Sequence, residues 1–305
     1  MTVQETYQQL LFQLYEMYDE REAANIADIV TEHITGLRKI DRIINRQLSL
    51  KEEQIQLLND YTFQLLQHKP VQYVLQEAWF GGLKFYVDEN VFIPRPETDE
   101  LVEWILDEVS SLPFSVPGLQ FTELSLTTHH SPLTILDIGT GSGCIPVTLK
   151  KNMPLAEIHA LDISEDALNV AKRNAATQQT EINFHLLDIL DKTAWSKLRA
   201  FDIIVSNPPY VKQSEAPAMH KNVLQHEPHL ALFVPDEDAL LFYRTIATLG
   251  LQHLNAHGRL FFEINETLGK EVHDLLSQSG YKNIEMKKDL QGNDRMVKAE
   301  IANFQ

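Results

Sequence analysis

Only one cysteine, Cys144, occurs among the 305 residues. A single thiol excludes an internal disulfide and a thiolate metal cluster, and it fits a reducing compartment such as the cytoplasm. No apolar run approaches the roughly 20 residues that a membrane span requires. The N-terminus carries early acids and no basic segment, which fits neither a secretory nor a mitochondrial signal. We therefore expect a cytoplasmic protein with no membrane partner.

Basic residues are also scarce. Lys and Arg number 26 against 43 Asp and Glu, which gives a formal net charge of −17. Because generic nucleic-acid binding needs a basic excess, no direct nucleic-acid partner is expected. His129 and His130 have no further ligands at metal spacing, so no metal site is predicted. With 44% hydrophobic residues, the chain can nonetheless bury a core.

Residues 1–76 show helical periodicity and little β-type alternation. Apolar residues recur at three- and four-residue spacing, and Ser49 with an acid three positions later predicts a capping box that opens a helix. Arg38, Arg42 and Arg46 follow at four-residue intervals. They predict a solvated helix face or, alternatively, a docking stripe for an acidic partner. The segment is predicted to be a small helical domain.

Residues 77–97 change to alternating apolar and polar positions. The alternation is interrupted by Gly81 and Gly82, then by an acidic turn, and it resumes at Val91 and Ile93. This pattern predicts a β-hairpin that links two domains.

Residues 98–305 are predicted to form the larger domain. After an excursion at 113–132, strands and helices alternate from Leu133 onward, and the two closing strands are predicted to pair antiparallel at the sheet edge. This order is typical of a doubly wound, Rossmann-like α/β sheet. Ligands of such sheets bind at the carboxyl ends of the strands.

A glycine-rich turn follows the first strand of this domain. Its glycines allow positive φ and a close approach of the backbone to a ligand. The spacing is not the dinucleotide pattern G-x-G-x-x-G, and an acid two residues before the first glycine would repel a pyrophosphate. Such an acid suits a cofactor with ammonium and sulfonium charge, which predicts S-adenosylmethionine. The predicted binding residues of the turn are Asp137, Gly139, Thr140, Gly141, Ser142 and Gly143.

Two further acids end the next two predicted strands. Asp162 follows the second strand, where it could accept hydrogen bonds from both ribose hydroxyls. Asp188 follows the third strand and suits an adenine amino group, with Ile189 beside it against the ring. A glycine-rich turn with a ribose acid also occurs in nicotinamide-dependent dehydrogenases, which remain an alternative at this point.

The segment Phe201–Tyr210 combines a buried strand with a rigid polar tip. Pro208 and Pro209 break the strand because proline cannot donate ladder hydrogen bonds. The side-chain oxygen of Asn207 and the carbonyl of Pro208 offer two acceptors beside the ring of Tyr210. Such a tip suits a planar NH2-bearing group, either an amide or the exocyclic amine of a base. These four tip residues are predicted to be catalytic, and Asn207 is also predicted to contact the cofactor.

From about Pro70 to Lys298 the sequence resembles the HemK/PrmC family of protein-glutamine methyltransferases, which modify peptide chain release factors. Three segments carry most of the resemblance: IPRPET at Ile93–Thr98, LDIGTGSGC at Leu136–Cys144 and IVSNPPYV at Ile204–Val211. Their combination is more specific than NPPY alone, which adenine and cytosine amino-methyltransferases share. The N-terminal segment matches the family only in its helical character.

The resemblance implies a class I S-adenosylmethionine-dependent methyltransferase. We expect the protein to be a monomer. Its substrate would be the glutamine of the Gly-Gly-Gln motif in class I release factors, and methylation of the amide nitrogen would support translation termination. Asn207 and Pro208 would each accept one N–H of that amide, and Tyr210 would pack on its plane. Arg95, Glu97 and Glu227 would shape the pocket or form structural ion pairs. The helical domain would help to dock the release factor.

Three other functions remain open. A DNA or RNA adenine amino-methyltransferase would use the same tip on a flipped base, but the charge of −17 and the lack of a recognisable target-recognition domain disfavour it. A dehydrogenase is disfavoured by the glycine spacing and by the NPPY tip. A non-catalytic binding module would retain the fold, and the intact tip and the three acids argue against it.

Overall fold

The computed structural model describes residues 1–111 and 132–301. Nearly all of the predicted excursion at 113–132, including His129 and His130, lies outside the described residues. The chain divides into two compact units: Met1–Glu77 with Met219–His226, and Ala78–Ala218 with Glu227–Gln305. In the described part of the chain, no helix combines the length and the apolar character needed to cross a membrane.

The smaller unit is helical. Its helices are α1 (Val3–Leu14), α2 (Glu20–Thr35), α3 (Lys39–Ile44), α4 (Glu52–Leu65), α5 (Val71–Leu75) and, from later in the chain, α9 (Lys221–His226). Thr2 caps α1: its hydroxyl accepts from the Glu5 N–H at 3.3 Å, and the Glu5 carboxylate accepts from the Thr2 N–H at 2.8 Å. The helices bury one aliphatic cluster that includes Leu10, Val30 and Leu58. The predicted N-terminal helical bundle is confirmed.

The predicted capping box at Ser49 is wrong. Helix α4 begins at Glu52 with Lys51 as its N-cap, and the Gln54 side chain accepts from the Lys51 N–H at 3.0 Å. Ser49 instead forms an isolated antiparallel bridge with Thr2, which keeps its backbone extended.

The predicted arginine stripe on a solvated helix face is also wrong. Helix α3 ends at Ile44, so Arg46 lies beyond it. Arg42 is only 7% exposed, and its Nη2 lies 2.6 Å from Oδ1 of Asp28 on α2. Its guanidinium carbon lies 5.5 Å from the centre of the Tyr7 ring. An acid and an aromatic ring from two other helices therefore hold Arg42 inside the bundle.

The hairpin is shorter than predicted. Strands β1 (Ala78–Phe80) and β2 (Leu83–Phe85) pair antiparallel around Gly81 and Gly82, whose φ values are +56° and +71°. Positive φ at both turn residues is the geometry of a two-residue hairpin loop. The predicted continuation at Val91 and Ile93 forms no strand. The Ile93 N–H donates to the Glu227 carboxylate at 3.2 Å, and Pro94, which follows it, has no N–H. Neither Ile93 nor Pro94 can therefore donate to a ladder.

The larger unit contains a seven-stranded sheet. Its strands are β3 (Thr134–Ile138), β4 (Glu157–Asp162), β5 (Asn183–Leu186), β6 (Phe201–Ser206), β9 (Leu254–Glu263), β10 (Tyr281–Lys288) and β11 (Asp294–Ile301). The strand order is β10-β11-β9-β6-β3-β4-β5. Strands β3, β4, β5, β6 and β9 are parallel, and β11 pairs antiparallel with both β9 and β10. The predicted doubly wound sheet with an antiparallel edge is confirmed.

Helices cover both faces of the sheet. They are α6 (Pro96–Ser110), α7 (Cys144–Asn152), α8 (Glu165–Thr177), α10 (Leu241–His253) and α11 (Gly269–Gln278). Successive residues of β3 point to opposite sides, since Leu136 packs in one apolar cluster and Ile135 in the other. All five residues of β3 are buried, which explains why its sequence does not alternate regularly between apolar and polar positions.

Shorter elements complete this unit. Val211–Lys212 (β7) and Phe233–Val234 (β8) form a two-residue parallel pair that the sequence did not predict. Among the described residues, 3-10 helices lie at Lys192–Lys197, Gln213–Ala218 and His229–Ala231. The predicted site residues lie at the carboxyl ends of β3, β4, β5 and β6 or in the loops that follow them.

Candidate active site

The glycine-rich turn folds over the end of the neighbouring strand β4. The backbone N–H groups of Gly139 and Thr140 both donate to the Leu161 carbonyl, at 2.9 and 3.0 Å. Gly139 and Gly141 have φ values of +74° and +52°, and a Cβ added at either one would meet no described atom within 4 Å. The turn is therefore an open backbone surface that a ligand can approach closely.

Gly143 has a different reason to be glycine. Its φ is +78°, and an added Cβ would lie 3.0 Å from the Ala171 Cβ on α8. Gly143 is the N-cap of α7, so its missing side chain lets the start of α7 approach α8.

Asn174 supports the turn from α8, and the sequence did not point to it. Its Nδ2 donates to the Ser142 carbonyl and to the Tyr86 carbonyl, both at 2.9 Å, and its Oδ1 accepts from the Tyr86 N–H at 2.7 Å. Asn174 is 1% exposed. This buried amide fixes the turn against the segment that follows the hairpin.

Asp137 lies beneath the turn, at 0% exposure. Neither of its carboxylate oxygens has a hydrogen-bond partner among residues 1–111 and 132–301, and the same holds for the hydroxyls of Thr140 and Ser142. Burial raises the pKa of Asp137 to about 7; the neighbouring Thr140 hydroxyl lowers the pKa and the Asp162 carboxylate raises it. Buried polar groups without partners are costly. This cluster therefore fits a ligand that carries positive charge and hydrogen-bond donors.

The other two acids are held by backbone groups. The Asp162 carboxylate accepts from the N–H groups of Gly141 and Ser164, each at 2.9 Å. Burial raises the pKa of Asp162, and these backbone hydrogen bonds lower it. Asp188 accepts from the Leu190 N–H at 2.8 Å. Each carboxylate keeps further lone pairs for a ligand hydroxyl or amine.

Ile189 is buried beside Asp188, with 8% exposure. Its carbonyl accepts from the Trp195 indole N–H at 3.0 Å, which anchors the loop after β5. The predicted cofactor residues other than Asn207 thus lie at the ends of β3, β4 and β5, and Asn207 follows β6.

The NPPY tip follows β6, the neighbour of β3 on its other side. The Ser206 hydroxyl donates to the Ile138 carbonyl at 2.7 Å and joins the ends of the two strands. Asn207 is half-buried, and its Nδ2 donates to the Thr98 hydroxyl at 3.1 Å. Pro208 is buried and Pro209 half-buried at the strand end. The tip is therefore rigid and lies next to the glycine-rich turn.

A buried glutamate joins the tip residues, and sequence reasoning did not find it. Glu263 ends β9 and is 2% exposed. Its Oε1 accepts from the Tyr210 hydroxyl at 3.3 Å, and its Oε2 accepts from the Thr98 hydroxyl at 2.6 Å. Burial raises the pKa of Glu263 to about 7, while the Thr98 hydrogen bond and the Arg295 guanidinium lower it. Because β9 is the parallel neighbour of β6, the rule on carboxyl ends was the available signal.

Arg95 and Glu227 form a partly buried ion pair at 2.5 Å. Glu227 also accepts from the Ile93 N–H, and the Arg95 guanidinium lies 4.5 Å from the centre of the Phe92 ring. Burial raises the pKa of Glu227, and Arg95 lowers it. Glu97, in the first turn of α6, is not part of this pair. The pair fixes the segment that leads into Thr98.

The strand order and the glycine-rich turn after the first parallel strand define a class I methyltransferase fold. Residues 121–231 match the family model described as Methyltransferase small domain, and residues 5–75 match the PrmC N-terminal domain. Among solved structures, the hMettl16 catalytic domain has a TM-score of 0.51 at 14% identity, with 86% of each chain covered. At that identity the likeness shows the fold alone.

Two curated relatives match over nearly their whole length. The release factor glutamine methyltransferase of Flavobacterium psychrophilum is 45% identical over 288 residues, which cover 94% of this chain and 95% of that protein. The release factor glutamine methyltransferase of Bacteroides thetaiotaomicron is 36% identical over 286 residues, with 94% and 95% covered. The chain belongs to the family of release factor glutamine methyltransferases, so the resemblance to the HemK/PrmC family is confirmed.

Proposed function

We propose that this protein methylates the side-chain amide nitrogen of the glutamine in the Gly-Gly-Gln motif of class I peptide chain release factors. The methyl donor is S-adenosylmethionine, and the reaction supports translation termination. Family membership supports the reaction class and the substrate. The observation that carries the chemistry is the Asn207 side chain. Its Nδ2 is engaged by Thr98, and its Oδ1 makes no hydrogen bond with any described residue, so that oxygen is available to an amide N–H.

The cofactor would lie across the ends of β3, β4 and β5. When bound, S-adenosylmethionine supplies an electrophilic methyl group on a sulfonium sulfur. The unpaired carboxylate of Asp137 and the hydroxyls of Thr140 and Ser142 fit its charged amino-acid part. Asp162 would accept from the ribose hydroxyls, and Asp188 from the adenine amino group. Ile189, and the open glycine backbone at Gly139, Gly141 and Gly143, complete the proposed site.

The tip would make a poor nucleophile react. An amide nitrogen is weakly nucleophilic because its lone pair is delocalised into the carbonyl. Asn207 Oδ1 and the Pro208 carbonyl each accept one N–H of the substrate amide, which fixes the nitrogen for in-line attack. The same oxygens stabilise the positive charge that develops on nitrogen. The Tyr210 ring packs on the amide plane. The methylated amide is acidic enough to lose its proton to water, so no strong general base is required.

Three segments would divide the work. Residues 1–76 dock the release factor, residues 77–97 link the domains, and residues 98–305 carry out methyl transfer. The match of residues 5–75 to the PrmC N-terminal domain supports the first assignment. Exposed apolar residues on α3 support it as well, since Ile40 and Ile44 expose 63% and 73% of their surface.

Intact-mass spectrometry with peptide mapping tests the proposal. Wild type and Asn207→Ala are incubated with S-adenosylmethionine and a full-length release factor, and a release factor with alanine in place of the motif glutamine is the matched substrate control. We expect one added methyl group on the Gly-Gly-Gln glutamine with wild type only. Methylated adenine on added DNA or RNA, with no methyl group on the release factor, would contradict the proposal.

A further inference from the structure

Glu263 is a buried acid that the proposed chemistry has not used. It lies at the end of β9, outside the glycine-rich turn and outside the NPPY tip, yet it contacts both Thr98 and Tyr210. The chain places these partners 165 and 53 residues away from it. Burying a carboxylate that has only two hydroxyl donors costs desolvation free energy. Its presence therefore indicates a role in positioning the side chains that it contacts.

The hydrogen bonds define which way the Asn207 amide points. Thr98 has one hydroxyl proton, and it donates that proton to Glu263 Oε2 at 2.6 Å. The Thr98 oxygen is therefore left as an acceptor, so the group that faces it must be a donor. That donor is Asn207 Nδ2, at 3.1 Å. Because Nδ2 and Oδ1 lie on opposite sides of an amide, Oδ1 points away from Thr98.

We infer that Glu263 is a positioning residue for glutamine methylation. By accepting a hydrogen bond from the Thr98 hydroxyl, it orients the Asn207 amide so that Oδ1, not Nδ2, is presented to the substrate amide. By accepting a hydrogen bond from the Tyr210 hydroxyl, it also holds the ring that packs on the substrate. Glu263 touches neither the substrate nor the cofactor in this role. The inference rests on the proposed function.

The opposite protonation state would reverse this orientation. A protonated Glu263 can donate to Thr98, which frees the Thr98 proton for Asn207 Oδ1 and turns Nδ2 toward the substrate. Two NH2 groups would then face each other, and the substrate would lose an acceptor. Burial raises the pKa of Glu263 to about 7, so the carboxylate forms as pH rises through that value. The turnover number should therefore rise with pH through about 7 and then level off.

Several other groups set the field at Glu263. Arg295 lowers the pKa of Glu263, and Glu97 raises it. Arg295 is itself held by Asp289 at 3.1 Å and by Glu266 at 3.0 Å. Glu263 also raises the pKa of three further groups, which are Tyr210, Tyr243 and Cys144.

Isosteric variants of the full-length protein test the inference. Glu263→Gln keeps the shape but introduces a donor, Thr98→Val removes the hydroxyl link, and Thr98→Ser retains it. The control is Thr148→Val, since Thr148 is also buried and its hydroxyl has no partner among the described residues. For each variant we would measure kcat and KM with a release factor at saturating S-adenosylmethionine, the Kd for S-adenosylmethionine, and kcat from pH 5.5 to 9.

Glu263→Gln and Thr98→Val should each lower kcat by about 10- to 100-fold, the scale that misplacing a reacting group produces. The cofactor Kd should stay within about twofold, because neither residue lies in the proposed cofactor site. Thr98→Ser should retain most of the activity. The rise of kcat near pH 7 should disappear in Glu263→Gln. When Glu263→Gln is combined with Tyr210→Phe, the kcat losses of the two substitutions should not multiply, because both break the same chain of hydrogen bonds.

Other outcomes would overturn the inference. A Glu263→Gln protein with near wild-type kcat and an unchanged pH profile would do so. A loss of kcat that is matched by a loss of cofactor affinity would also overturn the inference. So would kcat losses that multiply in the double variant. Failure of the proposed function looks different, because wild type itself would then leave the release factor glutamine unmethylated.

Discussion

Asp137 and Glu263 form an instructive pair of buried acids. Both lie at carboxyl ends of parallel strands, both are at most 2% exposed, and burial raises the pKa of each to about 7. Their hydrogen bonding differs. Asp137 has no partner within the described ranges, whereas Glu263 accepts from Thr98 and Tyr210. Burial alone therefore does not reveal what an acid does; the unpaired acid fits a ligand, and the paired acid fixes other side chains.

The same difference separates the two halves of the site. The glycine-rich turn presents unpaired polar groups and open backbone, so a bound ligand would supply the hydrogen-bond partners that the turn lacks. The NPPY tip is held within the protein through Asn207 Nδ2 and the Tyr210 hydroxyl, and in the proposed function Asn207 Oδ1 and the Pro208 carbonyl are left to accept from the substrate. Variants that break one half should leave the other half working.

The largest effect is expected at the tip. Asn207→Ala removes the oxygen that stabilises charge on the reacting nitrogen, so kcat should fall by about 10²- to 10³-fold. The measurement is single-turnover methylation of a release factor at saturating S-adenosylmethionine. Thr148→Val serves as the matched control and should keep wild-type kcat. Equal rates for Asn207→Ala and wild type would contradict the assigned role.

Asp137→Asn should weaken cofactor binding by about tenfold or more, because it removes the negative charge that faces an ammonium group. Calorimetric titration at pH 8, where the wild-type carboxylate is ionised, measures this. Wild-type affinity should itself weaken as pH falls through about 7, and the variant should lack that dependence. Unchanged affinity in the variant would place the charged end of the cofactor elsewhere.

Asp137→Asn should also stabilise the ligand-free protein at high pH. The pKa of this carboxyl rises from 3.8 to about 7 on folding, so the native state binds a proton more tightly than the unfolded state. The contribution of this carboxyl to wild-type stability therefore falls as pH rises from about 4 to about 7 and stays low above that. Denaturant unfolding at pH 8 should show a gain of about 4 kcal/mol in the variant, which vanishes near pH 4.

Gly143→Ala should destabilise the fold by about 2 kcal/mol, through a positive φ and the contact with Ala171. Gly139→Ala is its control: φ is also positive, but an added Cβ meets open space, so the loss of stability should be smaller. Thermal unfolding of the two variants measures the difference. Equal losses would show that packing against α8 does not matter.

The smallest effect is a gain. Thr148→Val replaces a buried hydroxyl, which lacks a partner in the described part of the chain, with a methyl group of the same shape. The free energy of unfolding should rise by about 1 kcal/mol, since desolvating that hydroxyl is no longer required. Urea unfolding measures it. A loss of stability would mean that the Thr148 hydroxyl has a partner, for example a water molecule.

Much of the fold follows from local sequence patterns. Strands such as Thr134–Ile138 and Phe201–Ser206 carry apolar residues on both sides because helices cover both faces of the sheet, and the alternation with helices predicts their parallel order. The glycine-rich turn and the NPPY tip could be predicted because the residues of each motif are contiguous in the sequence. Their placement at adjacent strand ends follows from topology.

Long-range contacts account for what the sequence did not predict. The bond from Thr98 to Glu263 joins residues 165 positions apart, and no local pattern marks either end of it. The four-residue spacing of the arginines predicts a solvated Arg42, because its partner Asp28 lies on another helix and leaves no local pattern. The hairpin ends at Phe85 because Asn174, from far along the chain, binds the N–H and the carbonyl of Tyr86, and Glu227 binds the Ile93 N–H. In each case a nonlocal polar partner overrode a local pattern.

Calorimetric titration of S-adenosylmethionine into Asp137→Asn and Glu263→Gln tests most directly whether the two acids serve different halves of the site. We expect Asp137→Asn to weaken binding by about tenfold or more, while Glu263→Gln binds the cofactor within about twofold of wild type and yet transfers methyl slowly. The reverse pattern, or equal weakening in both variants, would contradict the division between a cofactor acid and a positioning acid.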